Sequence, residues 1–217
     1  MRVVVPCDAR ETERLCRISI LDVQGPVYMR YAREATPVVT TEDTPLRFGE
    51  SNTIRYRGPR GTFVQCFDVA PSSEYADERE DISIVACGPI VCEAMRAALI
   101  LKEESGLETR ILNMHTVKPL DGDAVGRACR ETGAILTCEE HQKGGFGNII
   151  AGSLSARKEM EDPYVFAMVG IEDRFGESGR PRELMIRFGL TAEHIAVRAQ
   201  ELIARKGRAK RNRRRRE

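Results

Sequence analysis

The chain has 217 residues, 41% of them hydrophobic and 31% charged, enough to bury one full core and a second small one, which excludes a peptide-sized scaffold. With 34 Lys plus Arg against 33 Asp plus Glu the net charge is +1, which excludes a generally basic nucleic-acid binder and an acidic solvating chain. The charge is uneven, because residues 206–217 hold eight cations and one anion, a net +7 that leaves the body at −6.

Residues 3–5 read as a short strand, residues 9–21 as an amphipathic helix and residues 27–30, after Gly25-Pro26, as a second strand. That is one βαβ unit without the rest of a domain, and a lone parallel pair leaves a sheet edge and an apolar face uncovered. Residues 37–81, with prolines at 37, 45, 59 and 71 and no sustained period, read as a long connector with short strands near Ile54 and Phe63.

From residue 82 the pattern alternates β-branched runs with amphipathic stretches, the mark of βα units around a largely parallel sheet. Residues 82–87 form a strand. Gly88-Pro89 opens a helix with Ile90, Ala94, Ala97, Ala98 and Leu101 on one face, and Ser105-Gly106 stops it. A strand over 108–114 and a helix capped by Asp121 follow, ended by Thr132-Gly133 before the strand 134–138. A helix over about 147–158, a strand over 164–169, a Gly-rich loop and helices over 182–188 and 192–205 complete the pattern. The low-complexity basic segment 206–217 is expected to be disordered, with a weak salt-sensitive nucleic-acid contact open to it.

No apolar run approaches the roughly 18 to 20 residues of a membrane-spanning helix. The opening Met1-Arg2-Val3-Val4-Val5-Pro6 lacks a secretory apolar stretch, so the expectation is a cytoplasmic protein without a membrane partner. The seven cysteines lack paired CxxC spacing and read as reduced core residues rather than metal ligands.

Neither GxxxxGK[ST] nor GxGxxG occurs, and there is no GxSxG elbow or HExxH, so nucleotide-loop and hydrolase readings find no support. Gly144-Gly145-Phe146-Gly147 lies between a strand and a helix. It is either an anion-binding turn or a tight turn that lets the helix pack closely. Glu139-Glu140-His141 stands at the carboxyl end of a strand, where open α/β sheets build sites. Glu140 and His141 are therefore candidates, His141 either as a charged donor held by its carboxylate neighbours or as a structural hydrogen-bonding residue. His115, also at a strand end, is a candidate contact. His194 inside the last helix reads as a packing or surface residue.

Five segments carry a resemblance. Gly25-Pro26-Val27-Tyr28-Met29-Arg30-Tyr31-Ala32-Arg33, Ile82-Ser83-Ile84-Val85-Ala86-Cys87-Gly88, and Asn113-Met114-His115-Thr116-Val117-Lys118-Pro119-Leu120-Asp121 are followed by Glu139-Glu140-His141-Gln142-Lys143-Gly144-Gly145-Phe146-Gly147 and Asp173-Arg174-Phe175-Gly176-Glu177-Ser178-Gly179. They occur in the order seen in transketolases, and the chain most resembles the separately encoded C-terminal section of split transketolases.

The resemblance implies an α/β fold for residues 82–205, a three-layer sandwich around a mostly parallel mixed sheet. It implies that residues 1–36 are the terminal βαβ fragment of a pyrimidine-binding domain. Stretch 50–80 is longer than the connector usual in that family. The thiamine-activating carboxylate, the aromatic pocket and the diphosphate motif of such enzymes lie upstream of this portion. Thiamine diphosphate and magnesium are accordingly expected only in an assembled enzyme, with no catalytic, cofactor-binding or metal residue in this chain and no activity on its own. The implied partners are an N-terminal transketolase section carrying the diphosphate- and pyrimidine-binding domains, further copies in an oligomer, and sugar phosphates. The implied reaction is transfer of a two-carbon ketol unit, and Arg33, in Tyr31-Ala32-Arg33-Glu34, matches an arginine that contacts the substrate phosphate. A noncatalytic assembly or regulatory module is the alternative, as is part of a deoxyxylulose-phosphate synthase or of a 2-oxoacid dehydrogenase E1 beta chain.

Overall fold

A computed structural model describes residues 1–158 and 163–214. The strands are β1 (Arg2–Val4), β2 (Val27–Met29), β3 (Asn52–Tyr56), β4 (Phe67–Pro71), β5 (Ile82–Ala86), β6 (Thr109–Asn113), β7 (Thr116–Lys118), β8 (Ala134–Gln142) and β9 (Val165–Ile171). The helices are α1 (Ala9–Leu21), α2 (Ile90–Ser105), α3 (Gly122–Thr132), α4 (Phe146–Ser155), α5 (Pro181–Arg187) and α6 (Ala192–Arg214).

Six strands in the order β4-β3-β6-β5-β8-β9 form the main sheet, in which β6, β5, β8 and β9 run parallel and β3 and β4 antiparallel. β5 is buried on both faces, which is why it reads as an unbroken apolar run. Its alternate residues serve different layers: Ile82, Ile84 and Ala86 pack with Ile90, Met95, Ile195 and Leu202 of α2 and α6. Val85 joins Val125, Ala128, Ile150 and Leu154 of α3 and α4 on the opposite face. The result is a helix–sheet–helix sandwich around a mostly parallel mixed sheet, as expected.

Part of the segment read as a connector belongs to that sheet. The strand expected near Phe63 lies later, at β4, because Gly58 and Gly61 take positive φ and a 3-10 turn over Val64–Cys66 intervenes. Phe63 instead sets its ring edge-on to Phe67, with centroids 5.1 Å apart. β3 is buried throughout despite three polar residues, since each finds a partner. Asn52 donates to the Pro45 carbonyl at 2.7 Å, Thr53 shares a hydrogen bond with Ser72 at 2.9 Å, and Arg55 donates to Glu80 at 3.0 Å.

The basic segment from residue 206, expected to be disordered, continues α6 as helix through Arg214. Extending a formed helix by one residue costs far less than nucleating one, and the apolar stripe Ile195, Ala199 and Leu202 seats α6 in the core. Lys206 is tied down, donating to the carbonyls of Asp81 and Thr132. Residues 215–217 of that expectation lie outside the described residues.

Residues 1–29 form the expected βαβ unit. β1 pairs parallel with β2 and antiparallel with β7, giving a second sheet of three strands, β2-β1-β7. Leu15 of α1 is fully buried, whereas Ile20, Leu21, Tyr28 and Tyr31 are exposed. One face of the unit therefore docks on the main body and the other is bare.

Candidate functional site at the carboxyl edge of the sheet

β8 runs nine residues and ends in Glu139-Glu140-His141-Gln142, past the point where β5 stops. The buried Glu139 turns back on the start of α4, its two carboxylate oxygens accepting the N–H groups of Phe146 at 2.7 Å and Gly147 at 2.9 Å. α4 has no capping side chain of its own, and Glu139 supplies the negative charge that the positive end of a helix favours. The Gly-rich turn is thus an anion-binding turn whose anion is the chain's own carboxylate. A Cβ on Gly145 would come within 2.9 Å of that carboxylate, and one on Gly147 within 2.7 Å of the Met168 sulfur. Both readings of the turn hold together: glycine permits the close approach, and the freed amides are used.

His141 places Nε2 at 3.1 Å from a Glu139 oxygen. Burial, and then the nearby positive charge of Arg30, push the imidazole below its ordinary value, so the ring is neutral at pH 7. The sequence-based idea that its acidic neighbours hold it charged is corrected, because desolvation outweighs them. With Nε2–H donating to Glu139, the buried Nδ1 carries the lone pair and meets no partner among the described residues. The Glu139 carboxyl is pushed up by burial against the opposing pull of the Gly147 and Phe146 amides and Arg30. Glu140 is also pushed up by burial, with Arg30 opposing and Glu93 adding to it.

Arg30, the first residue after β2, is the cation common to Glu139, Glu140, His141 and Cys87. Its backbone N–H is held by the Val4 carbonyl at 3.0 Å, while its guanidinium makes no hydrogen bond or ion pair among the described residues. Arg33 sits three residues on, exposed on a bend. Sequence reading passed over Arg30; the signal lay in its place at the end of a strand whose carboxyl edge faces the others.

His115 is not part of this cluster. Fully buried, it shares a hydrogen bond through Nδ1 with Thr116 Oγ1 at 3.0 Å, and its carbonyl accepts the Val5 N–H at 2.8 Å. Burial lowers its imidazole to about 4, opposed by the backbone of Glu50 and the charge of Asp121. It is a neutral wedge between β7 and the connector.

Two carboxylates missed by sequence reading hold the βαβ unit in place. Asp8 caps α1 through the Glu11 N–H at 2.9 Å and also accepts the N–H groups of Val39 at 2.8 Å and Thr40 at 2.7 Å. Glu11, fully buried, accepts the Cys7 N–H and the Asn113 side-chain amide, both at 2.7 Å. Burial pushes its carboxyl up to about 7. The Asp-x-x-Glu spacing after Cys7 was the available signal, close to that of a capping box.

The edge thus offers an unpaired guanidinium, a neutral imidazole and carboxyls of raised pKa, a set suited to holding an anionic group and relaying a proton. It holds no activated nucleophile, because burial pushes the Cys87 and Cys138 thiols far up. The residues do not fit a metal–diphosphate group: among the described residues no three His, Cys, Asp or Glu side chains converge on a cation, and Glu139 already fills the Gly-rich turn. Nor is any helix among the described residues long and apolar enough to cross a membrane.

Residues 73–195 match the family described as Transketolase, C-terminal domain. One of the two subunits of the apulose-4-phosphate transketolase of Phocaeicola vulgatus is 33% identical over 205 residues, which span 94% of this chain and 56% of that protein. The 1-deoxy-D-xylulose-5-phosphate synthase of Heliobacterium modesticaldum is 31% identical over 92% of this chain and 27% of its own length. A solved structure described as a split gene transketolase, inactive beta4 tetramer, superposes with a TM-score of 0.74 at 33% identity, over 94% of this chain and 58% of that one. The chain thus spans about half the length of the transketolase polypeptide it matches. It belongs to the transketolase C-terminal domain family.

Proposed function

We propose that the chain acts as the C-terminal section of a split transketolase that moves a two-carbon ketol unit between sugar phosphates in the cytoplasm. The observation that carries this reading is the bare side of the βαβ unit. Ile20, Leu21, Tyr28 and Tyr31 are exposed on it, next to the edge where Arg30, Glu140 and His141 gather. An N-terminal section bearing the diphosphate- and pyrimidine-binding domains would continue the sheet from β2, making residues 1–36 the last portion of a pyrimidine-binding domain. Thiamine diphosphate and magnesium would be held by that section and supply the carbanion chemistry. This chain's share is to complete the interface, to offer Arg33 to the substrate phosphate, whose charge suits a planar guanidinium fork, and to order the edge through Arg30. A structure like this chain is described as an inactive β4 tetramer, and self-association through the same face is the expected behaviour of the chain alone.

The test is reconstitution. Neither the pure chain nor a separately produced N-terminal section should transfer ketol units, and the mixture should. Micromolar binding of thiamine diphosphate and magnesium by the pure chain in calorimetric titration would contradict the assignment, as would a mixture that stays inactive while the two sections bind each other.

A further inference from the structure

A cavity of about 490 Å³ opens where α3 meets the connector, with Arg127, Arg130 and Arg157 among its walls and Glu50 and Ser73 on the connector side. α3 buries Ala124, Val125, Ala128 and Cys129, which turns Asp123, Arg127 and Arg130, at positions i, i+4 and i+7, to its outer face. The acidic groups around the cavity are already engaged. Asp121 accepts the Ser51 N–H at 2.8 Å, the Ser51 hydroxyl at 2.9 Å and the Ala124 N–H at 3.1 Å. Glu50 accepts the Ser73 N–H at 3.1 Å and Arg47 at 3.3 Å. Asp123 accepts Arg157 at 2.6 Å. The Arg127 and Arg130 guanidiniums, by contrast, make no hydrogen bond or ion pair among the described residues.

Arg157 is fixed by construction. It lies along a trough whose floor is two glycines one turn apart on α3: a Cβ on Gly126 would come within 3.0 Å of its Cδ and Nε, and one on Gly122 within 3.0 Å of its Nη2. Any larger residue at either position would lift the side chain off the helix. Three permanently charged planar donors therefore border one cavity, one of them held in a built groove and two with unused donor capacity. A flat carboxylate satisfies a single fork, whereas a tetrahedral dianion presents oxygens in several directions at once.

We propose that this cavity binds a phosphate-type dianion between Arg127 and Arg130 of α3 and the seated Arg157. Because the walls come from both the connector and α3, occupancy would brace the two against each other, and a ligand that binds only the folded chain raises its melting temperature by mass action.

The full chain is titrated with inorganic phosphate and with glycerol 2-phosphate against chloride of equal ionic strength, by calorimetry, thermal melting and backbone amide NMR. Saturable one-to-one binding of either probe is expected, with amide shifts concentrated in residues 121–130 and at Arg157; preference for one probe tells free phosphate from a phosphate ester. Arg127→Gln with Arg130→Gln should weaken binding at least tenfold. The same charge change at Arg205 and Arg208 on α6 should leave it within twofold. Absence of saturable binding, shifts concentrated in the C-terminal basic segment, or equal weakening by the two double variants would overturn the proposal, and the wild-type shift pattern decides it even if a variant fails to fold.

Discussion

The main sheet and the βαβ unit that precedes it are built from the same kinds of elements and differ in what covers them. In the six-stranded sheet Ile82, Ile84, Val85 and Ala86 of β5 are buried between helix layers on both sides. In the three-stranded sheet β1 packs inward through Val4 and the adjoining Val5, while β2 leaves Tyr28 exposed and α1 leaves Ile20 and Leu21 exposed. A strand pattern alone is thus no measure of stability: the first region closes its own core, and the second borrows half of one through β7, Asp8 and Glu11.

The largest effect should come from the polar clamp at the far end of the main sheet. Glu80 is buried between Arg55, at 3.0 Å, and Arg110, at 2.7 Å, and also takes the Tyr75 hydroxyl. Glu80→Ala leaves two guanidiniums facing each other without their shared anion, and urea unfolding should show a loss of about 3 to 5 kcal/mol. A loss near zero would mean that β3 and the connector do not unfold with the main sheet. Burial alone would push the Glu80 carboxyl up, but the Tyr75 hydroxyl and Arg110 hold it below its ordinary value. Its stabilisation is therefore lost as pH falls through that lowered value.

Next in size, Ile84→Ala and Leu15→Ala remove fully buried side chains, each worth about 2 to 5 kcal/mol where the surroundings cannot collapse. The first should lower the global unfolding free energy. The second should leave it nearly unchanged and speed exchange only in α1 and β2, since a weakly covered unit opens locally first. Equal global losses would erase the distinction between the two regions.

Glu11 gives a pH-dependent effect at the junction. With its carboxyl raised to about 7 by burial, the folded chain holds a proton that the unfolded chain releases near 4.5. Its contribution is thus present below pH 4.5 and lost as pH rises through 7, by at most about 3 kcal/mol. Glu11→Gln should remove that slope, because an amide can satisfy both the Cys7 N–H and, after a flip of Asn113, the Asn113 oxygen that now lacks a partner among the described residues. Melting curves from pH 4 to 8 read it directly; parallel profiles for the two chains would refute the assignment. Smallest of all, Ile20→Ser with Tyr28→Ser should shift the stability of the isolated chain by about 0.5 kcal/mol or less, yet weaken self-association and capture of an N-terminal section.

What was legible in the sequence follows the same division. The βα alternation from Ile82 onward was readable because its strands are buried apolar runs and its first two helices end at Gly106 and Gly133 in the left-handed conformation. β3 was harder, since Asn52, Thr53 and Arg55 are buried by partners outside the strand. The extension of α6 past Arg205 depends on Lys206 reaching two carbonyls more than 70 residues away in sequence, which no local pattern announces. Of the site, Glu140 and His141 were found from their place at a strand end. Arg30 and the capping role of Glu139 emerge only when β2 and α4 are brought to the same edge.

The central claim, that the chain is made to be completed by another, is tested most directly by hydrogen exchange on the chain alone and mixed with an N-terminal transketolase section. The amides of Val27–Met29 should exchange at least a hundredfold faster than those of Ile82–Ala86 in the chain alone, and should slow tenfold or more in the mixture while the latter stay unchanged. Equal protection of the two strands in the isolated chain, or no slowing of the first when the sections are combined, would contradict it.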